Sequence, residues 1–140
     1  MKFLVVYFSR GGRTKKVAEA IAQELGCEAN DVKKSTPSVS EVDLIVVGSG
    51  NYGGKPGNEI LDFLNNLQPT NSCKAVVFAT SGGPDPKCIE IMEGTLEAKG
   101  YKVISCFKCR GQFLFANRGH PNEEDLKNAK MFASVLDKNL

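Results

Sequence analysis

Four continuous apolar runs of strand length, at Phe3–Phe8, 44–47, 75–79 and 102–107, punctuate this chain, each rich in Val, Ile or Phe and each running out near Gly, Ser or Cys. Hydrophobicity that is continuous rather than alternating needs cover on both faces, so these segments read as central strands of a parallel sheet between two helical layers. Between them the apolar period becomes helical. Val17, Ala18, Ile21, Ala22 and Leu25 share one face after Thr14, with Gly26 as the stop. Ile60, Leu61, Leu64 and Leu67 do the same before Pro69, and Ile89, Met92 and Leu96 follow an Asp85-Pro86 start and end at Gly100. Asn122 and Asp125 are spaced to cap a last helix whose inward face is Leu126, Ala129, Phe132, Ala133 and Leu136. Residues 28–32 make a weak edge strand. Residues 35–42, with Pro37 among Ser35, Thr36, Ser38 and Ser40, have room for at most one helical turn. The fifth strand is split, resuming at 112–117. This order specifies a doubly wound α/β sheet with right-handed crossovers and helices on both faces. The 140 residues suit one domain over 1–140.

Composition narrows the function classes. With 41% hydrophobic and 24% charged residues the chain is neither disordered nor fibrous, and a net charge of +2 gives no bulk electrostatic case for nucleic acid. The apolar start is too short for a signal peptide or a membrane span, so a cytoplasmic protein is expected. Cys27, Cys73, Cys88, Cys106 and Cys109 form an odd set without framework spacing and read as free thiols in a reducing compartment.

Ligands of such sheets bind beyond the carboxyl ends of the strands, which makes the strand-to-helix turns the informative segments. Ser9-Arg10-Gly11-Gly12-Arg13-Thr14 joins a strand to a helix with two hydroxyls and several backbone N–H groups that can converge on one point, an anion cradle. It is neither a P-loop nor a G-x-G-x-x-G turn, and it lacks the Cys of a phosphatase loop and the acidic residues of a phosphoryl-accepting receiver. Gly48-Ser49-Gly50-Asn51-Tyr52-Gly53-Gly54-Lys55-Pro56-Gly57 is a glycine-rich backbone around one aromatic and suits a flat ligand stacked on Tyr52.

The first turn resembles the phosphate loop of flavodoxins, Ser/Thr-x-Thr-Gly-x-Thr, which Ser9, Gly12 and Thr14 match; Gly11 stands in place of the usual Thr, and Arg13 where Asn is common. The resemblance implies a short-chain flavodoxin fold with a five-stranded parallel sheet in the order 2-1-3-4-5. It also implies FMN, with its phosphate held by hydroxyls and main-chain amides of Ser9, Arg10, Gly11, Gly12, Arg13 and Thr14. A hydroxyl lost at Gly11 removes about 1 kcal/mol of net hydrogen bonding, which Arg10 or Arg13 can replace with a charge-assisted bond. Ser49, Gly50, Asn51, Tyr52, Gly53 and Gly54 then form the loop whose aromatic covers one flavin face. Thr80, Ser81, Gly82 and Gly83 form the second flavin loop, without the outer aromatic that the family usually carries.

The resemblance further implies a low-potential carrier of single electrons, shuttling between semiquinone and hydroquinone, with redox proteins as donor and acceptor and no catalytic residue. A monomer with no membrane or nucleic-acid partner is expected. The alternative is an NAD(P)H-dependent flavin or quinone reductase of the same fold, favoured by the open flavin face and disfavoured by length. A flavin-free adaptor is a third reading. Arg10, Arg13, Lys15, Lys16 and Lys55 crowd turns where many flavodoxins are acidic. A unit charge about 10 Å away is worth about 0.4 kcal/mol in water-like dielectric, so the second potential should be less negative than an acidic flavodoxin's. The C-x-x-C of Cys106 and Cys109 is read as structural thiols rather than a redox or metal site, since residues three apart in an extended chain face opposite ways and a metal would lack further ligands. His120 is read as a surface turn residue.

Overall fold

The computed structural model describes residues 1–83, 86–110 and 121–138. In chain order the elements are β1 (Phe3–Phe8), α1 (Arg13–Leu25), β2 (Ala29–Asp31), β3 (Leu44–Gly50), α2 (Asn58–Asn65), β4 (Lys74–Ser81), α3 (Cys88–Ala98), β5 (Lys102–Arg110) and α4 (Glu123–Lys138). All five strands are parallel, in the order β2-β1-β3-β4-β5. The doubly wound flavodoxin-like fold expected from the sequence is therefore the observed one.

The continuous apolar runs resolve into two cores because successive strand residues face opposite sides. Val6, Phe8, Ile45, Val47, Ala75 and Val77 pack with Ile60, Leu64, Ile89, Met92 and Leu96 of α2 and α3. Val5, Tyr7, Leu44, Val46, Val76 and Phe78 pack with Val17, Ile21, Ala129, Ala133 and Leu136 of α1 and α4. The stripes of α1 and α3 are those legible in the spacing, whereas in α2 Leu61, expected to face inward, is only half-buried. In α2 the third buried side chain is Phe63, and Leu67 is buried beyond the helix end. Gly48 sits where a Cβ would lie 1.9 Å from the Phe78 ring, so the absence of a side chain there lets that ring fill the α1 side of the sheet.

Three strands run further than their apolar runs. Backbone pairing continues through polar residues to Gly50, Ser81 and Arg110, because a strand is held by backbone hydrogen bonds to its neighbour whatever its side chains. The C-x-x-C therefore lies inside β5, with Cys106 exposed and Cys109 buried against the α1 and α4 side. All five cysteines are free. The weak edge strand is present as Ala29–Asp31 alone, paired with β1. Helix α3 begins at Cys88, after Lys87, rather than at Pro86. Asp85, the second part of the split strand at 112–117, and His120 lie outside the described residues. The reciprocal cap at the start of α4 forms as expected: the Asn122 N–H donates to Asp125 Oδ2 (3.0 Å) and the Asp125 N–H to Asn122 Oδ1 (2.9 Å).

Register aligns the turns. Phe8 pairs with Ser49 and Gly50 with Thr80, so the chain leaves β1, β3 and β4 side by side at one end of the sheet.

Candidate functional site

The turn after β1 gathers backbone donors in an arrangement that can receive an anion. Gly12, at φ 88°, is the N-cap of α1 in a left-handed conformation that a side chain would strain. Its N–H donates to Ser9 Oγ (2.9 Å), which fixes the bend. The first helical bond runs from the Lys16 N–H to the Gly12 carbonyl (3.2 Å), so the amides of Arg13, Thr14 and Lys15 precede the helical ladder. No side chain caps this end and no acidic residue lies in the first turn. Arg13, Lys15 and Lys16 stand there instead. Cations at the positive end of a helix dipole are mutually repelling and of the wrong sign for stability. An anion bound at the turn removes that conflict, which is the pattern expected where a local rule yields to function.

The walls come from the neighbouring turns. Thr14 Oγ1 and Thr80 Oγ1 are 2.7 Å apart and buried, tying the start of α1 to the end of β4. The Asn51 N–H donates to the Thr80 carbonyl (2.9 Å), and Asn51 Oδ1 accepts from the Cys88 N–H (3.1 Å) at the start of α3. Tyr52 and Lys55 exchange backbone bonds of 2.8 and 3.2 Å, closing a tight loop through Gly53 and Gly54 at φ 63° and 85°. The Tyr52 ring folds across Gly50, where a Cβ would lie 2.6 Å from it. Its edge meets Phe8, with ring centroids 5.9 Å apart, and the Arg10 guanidinium covers its face at 4.1 Å. The Arg10 N–H donates to Tyr52 Oη (3.3 Å). Burial pushes the Tyr52 phenol above its ordinary value, against the opposing pull of that hydrogen bond and of the Arg10 charge. Burial also pushes the Cys88 thiol up to about 12, so it stays protonated near neutrality and is no nucleophile.

These turns enclose a cavity of about 130 Å³ lined by Ser9, Arg10, Gly11, Arg13, Thr14, Gly50, Asn51, Tyr52, Thr80, Ser81 and Gly82. The structure thus brings together eleven of the sixteen site residues expected from the sequence. The other five do not line it. Gly12 shapes the bend behind it, Gly53 and Gly54 lie at the loop tip, and the Gly83 N–H bonds to Ser81 Oγ (3.1 Å). Ser49 is wholly buried: its hydroxyl donates to the Gly50 carbonyl (2.9 Å) and accepts from the Gly57 N–H (3.0 Å), bracing the loop from beneath.

Lys33 is a residue that motif reading misses. It follows β2, and its Nζ donates to the Ser9 carbonyl (3.0 Å) while lying 5.5 Å from the centre of the Phe8 ring. Only the pairing of β1 with β2, Tyr7 opposite Asp31, brings it there.

A family model described as a flavodoxin domain matches residues 4–112. An uncharacterized protein of Methanocaldococcus jannaschii is 36% identical over 151 residues, covering 99% of this chain and all of that one. A flavodoxin from the domain Archaea superposes with a TM-score of 0.77 at 19% identity, over 99% of this chain and 98% of the other. The oxidised flavodoxin 2 of Bacillus cereus gives a TM-score of 0.80 at 21% identity over the whole of both chains.

Proposed function

This chain belongs to the flavodoxin domain family, and on that premise we propose that it binds FMN noncovalently and carries single electrons between redox proteins. The observation that supports this best is the cationic, uncapped start of α1 opening into the cavity beside Tyr52. The residues present fit the group. At about 130 Å³ the cavity is smaller than the ~300 Å³ or more of a pocket that swallows a whole organic ligand. It suits an anionic head group and leaves a flat ring to the surface made by Tyr52 and the glycine loops.

Bound FMN supplies the electron chemistry, and the chain binds, orients and tunes it. The amides of Gly11 and Arg13 to Lys15, with the Thr14 and Thr80 hydroxyls, would hold the phosphate. The Tyr52 ring would stack, displacing or sharing the Arg10 guanidinium that covers it. Gly53 and Gly54, both at positive φ, would let the peptide between them turn, so that a backbone carbonyl of this loop could face the edge of the bound ring. No side chain is required to move a proton. The carrier works as one domain over 1–140, as a cytoplasmic monomer.

The test is titration of FMN with folded apoprotein, followed by anaerobic addition of NADPH. Quenching of flavin fluorescence to a one-to-one end point, with no bleaching by NADPH alone, is the expected result. Undiminished fluorescence removes the flavin reading, and direct bleaching replaces the carrier by the reductase.

A further inference from the structure

Arg13 is the first residue of α1, yet its guanidinium turns back over the bend that precedes the helix. A Cβ on Gly11 would lie 2.7 Å from Arg13 Nη1 and 3.9 Å from its Cζ, so the planar group occupies the space that a side chain at position 11 would take. Arg13 and Arg10 both line the cavity, one on each side of the two glycines. We infer that the guanidinium of Arg13, lying over Gly11 and aided by Arg10, completes the cradle as a charged clamp selective for the dianion of a phosphate monoester. The identity of that ester as FMN rests on the function proposed above; the clamp itself does not.

The physical case is one of exchange. A neutral hydroxyl at position 11 would offer a single weak donor, whereas a guanidinium offers a planar fork of donors whose geometry matches phosphate oxygens and whose charge never titrates in the ordinary range. Gly11 and Arg13 are then a single device, because the absence of a side chain at one admits the other. Arg10 extends it: its stacking on Tyr52 gives the anion end and the aromatic end of the site a shared residue. The cations also account for selection among ligands. A dephosphorylated analogue brings no charge to the helix start and gains nothing from the clamp.

Dissociation constants for FMN, riboflavin and inorganic phosphate, measured by fluorescence and by phosphorus NMR line width at low and raised salt, test this. Arg13→Gln is expected to weaken FMN about tenfold or more while riboflavin affinity holds, to weaken inorganic phosphate, and to make FMN binding less salt-dependent. Gly11→Ala keeps the charge and obliges only the flexible end of Arg13 to shift, so it should cost less than Arg13→Gln. Lys102→Gln, at the opposite end of the sheet, should reproduce none of it. Equal weakening of FMN and riboflavin by Arg13→Gln, or unchanged FMN affinity, overturns the clamp. Should the parent protein take up phosphate through Arg13 but no FMN, the clamp stands and the flavin reading falls; should it take up neither, both fall.

Discussion

A methyl at Gly48 would meet the Phe78 ring on three atoms, the nearest at 1.9 Å, in a core where neither can retreat. Gly48→Ala should therefore destabilise by about 1–3 kcal/mol or more, read as a lower urea midpoint with an unchanged slope. Cys88 has a signature in pH. Its folded thiol titrates near 12 against an ordinary 9.0, so the burial contribution is fully present below pH 9 and is lost as pH rises toward 12, when the unfolded chain ionises first. Cys88→Ala should flatten the alkaline limb of a stability profile; an identical limb would assign that loss to other groups, such as the raised phenols of Tyr7, Tyr52 and Tyr101. Neither residue announces its role locally. Gly48 reads as one glycine among several, and Cys88 as an incidental thiol, because each is defined by what another strand or turn places against it.

At the scale of elements, the helical stripes and strand cores were legible because a 3.6-residue period and a continuous apolar run each have one dominant physical cause. The strand ends were not. Pairing carried β3, β4 and β5 on through glycine, hydroxyl and thiol residues that carry no apolar signal. The bend after β1 was legible in its glycines and hydroxyls, while the route by which Thr14 is satisfied was hidden, since its partner lies 66 residues away. That pair offers a measurement. Thr80→Val leaves the Thr14 hydroxyl buried without its partner and should cost about 1–3 kcal/mol, whereas Thr14→Val with Thr80→Val should cost less than the two singly made changes added together. Strict additivity in a double-mutant cycle would show that the two hydroxyls do not depend on each other.

Across the whole molecule the net charge of +2 conceals a local cluster. Arg10, Arg13, Lys15, Lys16, Lys33 and Lys55 gather around the turns after β1, β2 and β3, where Asp31 and Glu59 are the acidic residues among them. A charge about 10 Å from a bound flavin shifts its potential by on the order of 20 mV, so the second one-electron midpoint should sit above that of a protein with an acidic rim. Lys16→Gln should lower it by about that increment. A midpoint that ignores Lys16→Gln and raised salt alike would place these cations outside the flavin's field.

Asn51 carries a consequence for how fast the site can respond. Its amide is fastened to β4 and its side-chain oxygen to the first N–H of α3, while the bend beyond it turns on two glycines. Any rearrangement on capturing a ligand should then be confined to the few residues beyond that pin, on the nanosecond-to-microsecond scale of loop motion, with the sheet and both helical layers standing still.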